Sequence, residues 1–201
     1  MATIGLSKPY FAKYSNTGST VTYSDGALLG KYTELSIELD DQDANNLYAD
    51  NEVAETDSQF SGGTATITTD DLRPDAMVAS LGVKEEAITS EDITTETPKW
   101  YVFDDDQKIP YGGLGGVIKK KVDGAIKWAA FILNKIQFRT PGFAFTTQGE
   151  NIEWQTQELV AAILRSDAAK HPWFRMSSFM DSEADAEAAV KQYLNIVEES
   201  T

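Results

Sequence analysis

Between Asp40 and Glu52 the chain reads DDQDANNLYADNE. Counted from Asp41, its oxygen-bearing side chains fall at the spacing of a calcium loop: Asp41, Asp43 and Asn45 at the first, third and fifth positions, Glu52 at the twelfth. A hard cation takes six to eight oxygen ligands, and alternating acids and amides closed by a glutamate supply them. Two features oppose that reading. Asn46 stands where the loop turns on glycine, and strand patterns flank the stretch where such loops join helices. A solvated acidic loop is the preferred reading, with calcium a subsidiary one.

Other stretches hold chemistry-bearing residues without completing a site. YGGLGGVIKKK sets glycines before Lys119, Lys120 and Lys121, but its spacing matches neither phosphate-cradling pattern, so it reads as a flexible entry to a strand. Lys119 and Lys121 would share one strand face, suited to the carboxylates of a neighbouring subunit. Asp104, Asp105 and Asp106 could pair as acid and base, yet consecutive aspartates in a turn are ordinarily solvated. The single histidine, His171, precedes Pro172 and cannot build a histidine-based zinc site alone. Without cysteine, disulfides, thiolate ligands and cysteine nucleophiles are excluded. These residues predict neither an enzyme nor a cofactor.

The elements that would position these residues read as mainly β. Leu35, Ile37 and Leu39 alternate with Glu34, Ser36 and Glu38, the period of a half-buried strand. The alternation returns in GGTATITTD, so residues 40–62 become an overlong hairpin loop containing Tyr48. STVTYSDGALLG suggests a turn at Asp25-Gly26. Pro74 and Gly82 bracket a short helix capped by Asp70 or Asp71, and Ser182 with Asp185 opens a C-terminal helical segment over 182–201. KWYVF, GGVIKKKV, AIKWAAFILNKIQF, NIEWQTQELVAAIL and WFRMSSFM read as strands, and VKEEAITSEDITTETP as a linker. Residues 1–18 combine Tyr10, Phe11 and Tyr14 with Pro9 and read as an extended arm seeking a partner surface. Trp100, Trp128, Trp154 and Trp173 read as core and interface, most of them core. The fold class expected is an antiparallel β-sandwich or barrel, a single domain over 1–201, with one or two short flanking helices.

The chain has 201 residues, a net charge of −15 and a sequence pI near 4.4, which disfavour binding to phosphate backbones or anionic lipid. No apolar run is long enough for a membrane span, and the expected location is a cytoplasm.

Three stretches taken in order, GLSKPYFAKYSNTGSTVTYSDGALLGKYTELSIEL, NLYADNEVAETDSQFSGGTATITTDDL and FRTPGFAFTTQGENIEWQT, resemble the major tail protein of long non-contractile-tailed phages of Gram-positive bacteria. The resemblance implies a tail tube subunit, forming stacked hexameric rings with a hollow core through which genomic DNA passes unbound. It also implies the tape measure protein, tail terminator and distal tail or baseplate proteins as partners, and the virion tail as destination. In that setting an acidic lumen would repel DNA, and the candidates for its lining are Glu34, Glu38 and Glu153. Tyr10, Phe11, Tyr48, Lys119 and Lys121 are the candidates for contacts between subunits. Competing readings are a tail terminator, a head decoration protein, or a β-sandwich carbohydrate-binding or adhesion module.

Overall fold

The computed structural model describes residues 2–40, 45–49, 52–57, 60–89, 92–93, 97–143, 147 and 156–197. Its architecture is mainly β, with antiparallel sheets and two short helices. The strands in chain order are β1 (Ala2–Thr17), β2 (Thr20–Leu28), β3 (Tyr32–Leu39), β4 (Asn45–Ala49), β5 (Glu52–Asp57) and β6 (Gly63–Thr69). After helix α1 (Pro74–Leu81) come β7 (Lys84–Ala87), β8 (Lys99–Val102), β9 (Tyr111–Val122), β10 (Ala125–Phe138), β11 (Gln157–Ile163) and β12 (Phe174–Met176), and then helix α2 (Glu183–Tyr193). One large sheet runs β2-β1-β9-β10-β11-β6-β3, with β12 added to β10; β4-β5 and β7-β8 are separate two-stranded ribbons.

The large sheet wraps a core in which Phe11, Leu114, Phe131, Leu133, Ile67 and Leu159 are fully buried. Tyr32 closes it with its ring tilted against Phe131, centroids 6.4 Å apart, and by donating its hydroxyl to the Gly115 carbonyl. A second cluster lies on the other face of β1, β9 and β10, where Tyr10, Ala12, Val117 and Ile132 meet Ala186, Val190 and Leu194. Strands covered on both faces lose the alternation of a half-buried strand, because every position is then a core position.

That double cover explains the glycines of β9. A Cβ on Gly115 would lie 2.6 Å from Val190 Cγ1 and 2.7 Å from Ile132 Cδ1. On Gly116 it would lie 2.8 Å from both Phe131 and Tyr32. The glycine run expected to be a flexible strand entry is therefore the buried middle of a central strand, where bulk comes from neighbours.

The N-terminal segment is corrected in the same way. Residues 1–18 are not a free arm: β1 pairs with β9 from Ala2 to Lys13 and with β2 from Tyr10 to Thr17. Pro9 is accommodated at an irregularity between Ser7 and Tyr10, where Lys8 takes φ 61 and the Pro9 carbonyl accepts from Leu29 N–H at 2.8 Å. The turn between β1 and β2 falls at Gly18, φ 61, while Asp25-Gly26 is an irregularity inside β2.

Both helices form where their punctuation places them. Pro74 opens α1 and Gly82, φ 66, ends it; its N-cap is Arg73, not Asp70 or Asp71. Asp70 instead accepts the backbone N–H of Lys31 at 2.7 Å, tying the start of β3 to the end of β6. Ser182 caps α2 by accepting Asp185 N–H at 3.1 Å while donating to Asp185 Oδ2. The linker reading of residues 83–98 also changes, since β7 pairs with β8 over Lys84–Ala87 and Lys99–Val102. Trp100 on that ribbon is 63% exposed, so it is no core residue, whereas Trp128 and Trp173 pack beside the two clusters. Trp154 lies outside the described residues.

Candidate assembly interface

Among the described residues the large sheet is open. β2 forms one end of the hydrogen-bonded order and β3 the other, so each presents a row of backbone groups that its own sheet leaves without a strand partner. Between β3 and the N-terminal half of β1 lies a cleft of about 480 Å³, lined by Leu6, Leu35, Ile37 and Ile118 with Thr3 and Glu34 at its margin. Apolar side chains beside free edges are what edge-to-edge pairing of two copies requires.

The outer face of β3 and β6 is polar, and β11 adds Glu158, Val160 and Ala162 to it. The register sets Glu34 opposite Thr68 and Thr68 opposite Glu158, with Glu38 opposite Thr64. Glu34, Glu38 and Glu158 are exposed, and none takes part in an ion pair among the described residues. Glu158 was missed in the sequence; its alternation with the buried Leu159 and Ala161 was the available signal. Glu153 lies outside the described residues.

The lysines of β9 occupy both faces of the sheet near the β9–β10 turn. Lys119 Nζ lies 6.0 Å from the Trp128 ring centroid and Lys120 Nζ 5.8 Å from that of Phe179. Lys121 is exposed, opposite Ala2 on one side and Ile126 on the other. Among the described residues none of the three is ion-paired, whereas Lys127 pairs with Asp181 and Lys135 with Asp167 at 2.7 Å.

Tyr10 and Phe11 do not belong to an outer surface. Phe11 is fully buried and Tyr10 is 7% exposed, with its hydroxyl donating to Glu187 at 2.6 Å. Burial, reinforced by that carboxylate, pushes the Tyr10 hydroxyl up to about 12. Desolvation opposes the charge on Glu187, but hydrogen bonds from Lys191, Tyr10 and Lys8 outweigh it and hold the carboxyl down to about 2. With Ser7 donating to Glu183 at 2.6 Å, these bonds fasten α2 over the second cluster. Both aromatics hold a single copy together, which corrects their assignment as subunit contacts.

Backbone placement separates two of the four calcium candidates. Asn45 starts β4 and pairs with Asp57, while Glu52 starts β5 and pairs with Ala49. The two positions lie at opposite ends of a hairpin, about 13 Å apart along the strand at 3.3 Å per residue, so they do not wrap one ion. Asp41 and Asp43 lie outside the described residues, and Tyr48 stands in β4 opposite Val53. Residues 40–62 thus contain a two-stranded ribbon rather than a bare loop.

The remaining chemistry-bearing residues are engaged locally. Asp104 accepts Lys84 Nζ at 2.7 Å and the Asp106 N–H at 3.0 Å, and the lysine foremost holds its carboxyl below the usual range. His171 Nδ1 lies 2.8 Å from the Ser166 carbonyl in a turn where Lys170 and His171 both take positive φ. No described helix is long and apolar enough to cross a membrane. No known family model matches the chain, and no curated protein matches it.

Proposed function

We propose that this chain is the subunit of a phage tail tube, assembling into closed hexameric rings that stack around a DNA conduit. The observation that carries the reading is the pair of dissimilar edges, β2 and β3, at opposite ends of one sheet, neither paired with a further strand among the described residues. Two different complementary surfaces generate head-to-tail contacts, which close into a ring when the rotation permits. In a closed ring each edge is covered, and the aggregation hazard of an open sheet becomes the bond between subunits.

The face carrying Glu34, Glu38 and Glu158 is the lining in this reading. Its carboxylates repel phosphate, and on β3 and β6 its threonines offer a polar wall with no lysine or arginine among the described positions to hold a passing duplex. The tape measure, terminator and distal tail proteins are its partners by the resemblance alone.

Negative-stain electron microscopy of the purified protein across a concentration series tests the reading. Stacked sixfold rings or tubes are the expected result. Isolated rings that never stack would favour a terminator instead, and a monomer under every condition would overturn both.

A further inference from the structure

Two parts of the chain are left incomplete, and they are opposite in sign. Among the described residues the ribbon β4–β5 pairs with no other strand and lies apart from the large sheet. A lone two-stranded hairpin is marginal in water and needs something to rest on. Residues 40–57 carry seven carboxylates and no lysine or arginine, so their self-repulsion works against any contact that brings no cation.

The β9–β10 end is the reverse case. Lys120 pairs with Lys127 across the ladder, and among the described residues only Lys127 of the two has a carboxylate, Asp181. On the other side β1 offers Ala2, Thr3 and Gly5 opposite Lys121, Lys120 and Lys119, none of them charged. Beside these lysines Ile4 is 51% and Ile126 44% exposed, an apolar margin around a cationic centre. In a chain of net charge −15, three lysines around one strand end, Lys119 and Lys121 on one face and Lys120 on the other, without an ion pair among the described residues, make that end a place awaiting carboxylates.

We propose that the lysine-bearing end of β9–β10 is the receptor for the acidic β4–β5 ribbon of a second copy of this chain. The contact is heterologous, lysine end to acidic ribbon, so each copy donates once and receives once. It rests on the tube reading only for the symmetry in which the copies are arranged; the pairing of the two surfaces stands on their charges.

The test mixes ¹⁴N- and ¹⁵N-labelled full-length protein and applies a zero-length carbodiimide, which joins lysine amines to carboxylates in contact. Cross-links between Lys119, Lys120 or Lys121 and Glu52, Glu55 or Asp57 in mixed-isotope pairs are expected. Cross-links confined to same-isotope pairs, or their absence in assembled protein, would overturn the proposal and leave the tube reading standing. Conversely, mixed-isotope cross-links in protein that forms no rings support the pairing and count against the tube.

Charge exchange supplies the second arm. Lys119→Glu, Lys120→Glu and Lys121→Glu together should raise the concentration for half-assembly about tenfold, and so should Glu52→Lys, Glu55→Lys and Asp57→Lys. A one-to-one mixture of the two variants should recover assembly, because each supplies the surface the other lacks. Circular dichroism and a thermal midpoint matching the parent show that the variants fold; wild-type assembly by either folded variant alone overturns the proposal. The milder Lys119→Gln with Lys121→Gln serves if reversal unfolds the chain, and an unchanged half-assembly concentration there would equally defeat it.

Discussion

The two limbs of the large sheet share one hydrogen-bonded ladder and differ in what covers them. β1, β9 and β10 are packed on both faces, by the inner core on one side and by α2 on the other. β3, β6 and β11 bury one face and leave the other to threonines and glutamates with Ser36, Val160 and Ala162 among them. The doubly covered limb holds the subunit together, and the singly covered limb is free to meet something else. The same backbone geometry thus serves stability in one half and surface chemistry in the other.

The largest test of that contrast is Phe131→Ala. Phe131 is 1% exposed and packs against Tyr32 and Phe174, so its removal should cost about 3–5 kcal/mol in urea unfolding. Thr66→Val on the open face should stay within about 0.5 kcal/mol. Comparable losses at both sites would mean that the open face is covered in the monomer and the contrast is false.

Gly115→Val probes the same limb by excess volume. The added methyl groups would meet Val190 and Ile132 on the α2-covered face of the strand, and a loss of about 2–3 kcal/mol is expected. The glycines also show why this limb was hard to read. Tyr10, Phe11 and Ala12 in succession, or Gly112 through Val117, carry no period of two because both faces are buried, and Pro9 obscured a strand that bends around it. The open limb was legible because Leu35 and Ile37 alternate with Glu34 and Glu38. The alternation misled at Leu39, which is 48% exposed where the strand leaves the core. The helices were legible from Pro74, Gly82 and Ser182, whose effects are local. Pairing of β1 with β9, more than a hundred positions apart, left no local trace.

The clasp of α2 on the doubly covered limb is pH-dependent. Glu187 has its carboxyl lowered from an ordinary 4.5 to about 2 in the folded chain. A lowered carboxyl contributes stability that is fully present above 4.5 and lost as pH falls toward 2. Thermal midpoints of the parent and Glu187→Gln should therefore differ at neutral pH and converge between pH 4.5 and 2. A constant gap across that window would show that the bonds from Tyr10, Lys8 and Lys191 do not set the titration. Ser182→Ala, which removes the bond to Asp185 N–H at the same helix, should cost about 1 kcal/mol at any pH in that range.

The smallest expected change in stability belongs to Glu34→Lys with Glu38→Lys. Both side chains are exposed on the open face and ion-paired to nothing described, so unfolding should shift by under about 0.5 kcal/mol. The consequence should appear elsewhere. If this face lines the conduit, each ring gains two cations per subunit where phosphates pass, and DNA should be held by attraction that weakens as salt rises. Tubes should still form, and particles carrying them should eject DNA slowly at low ionic strength and recover as salt is added. Normal ejection from such particles at low salt would remove these residues from the lining, because a reversed charge in contact with DNA cannot be silent there. The open face would then have to serve contacts between copies, and the division between a limb that holds the fold and a limb that meets the duplex would give way to one between folding and assembly.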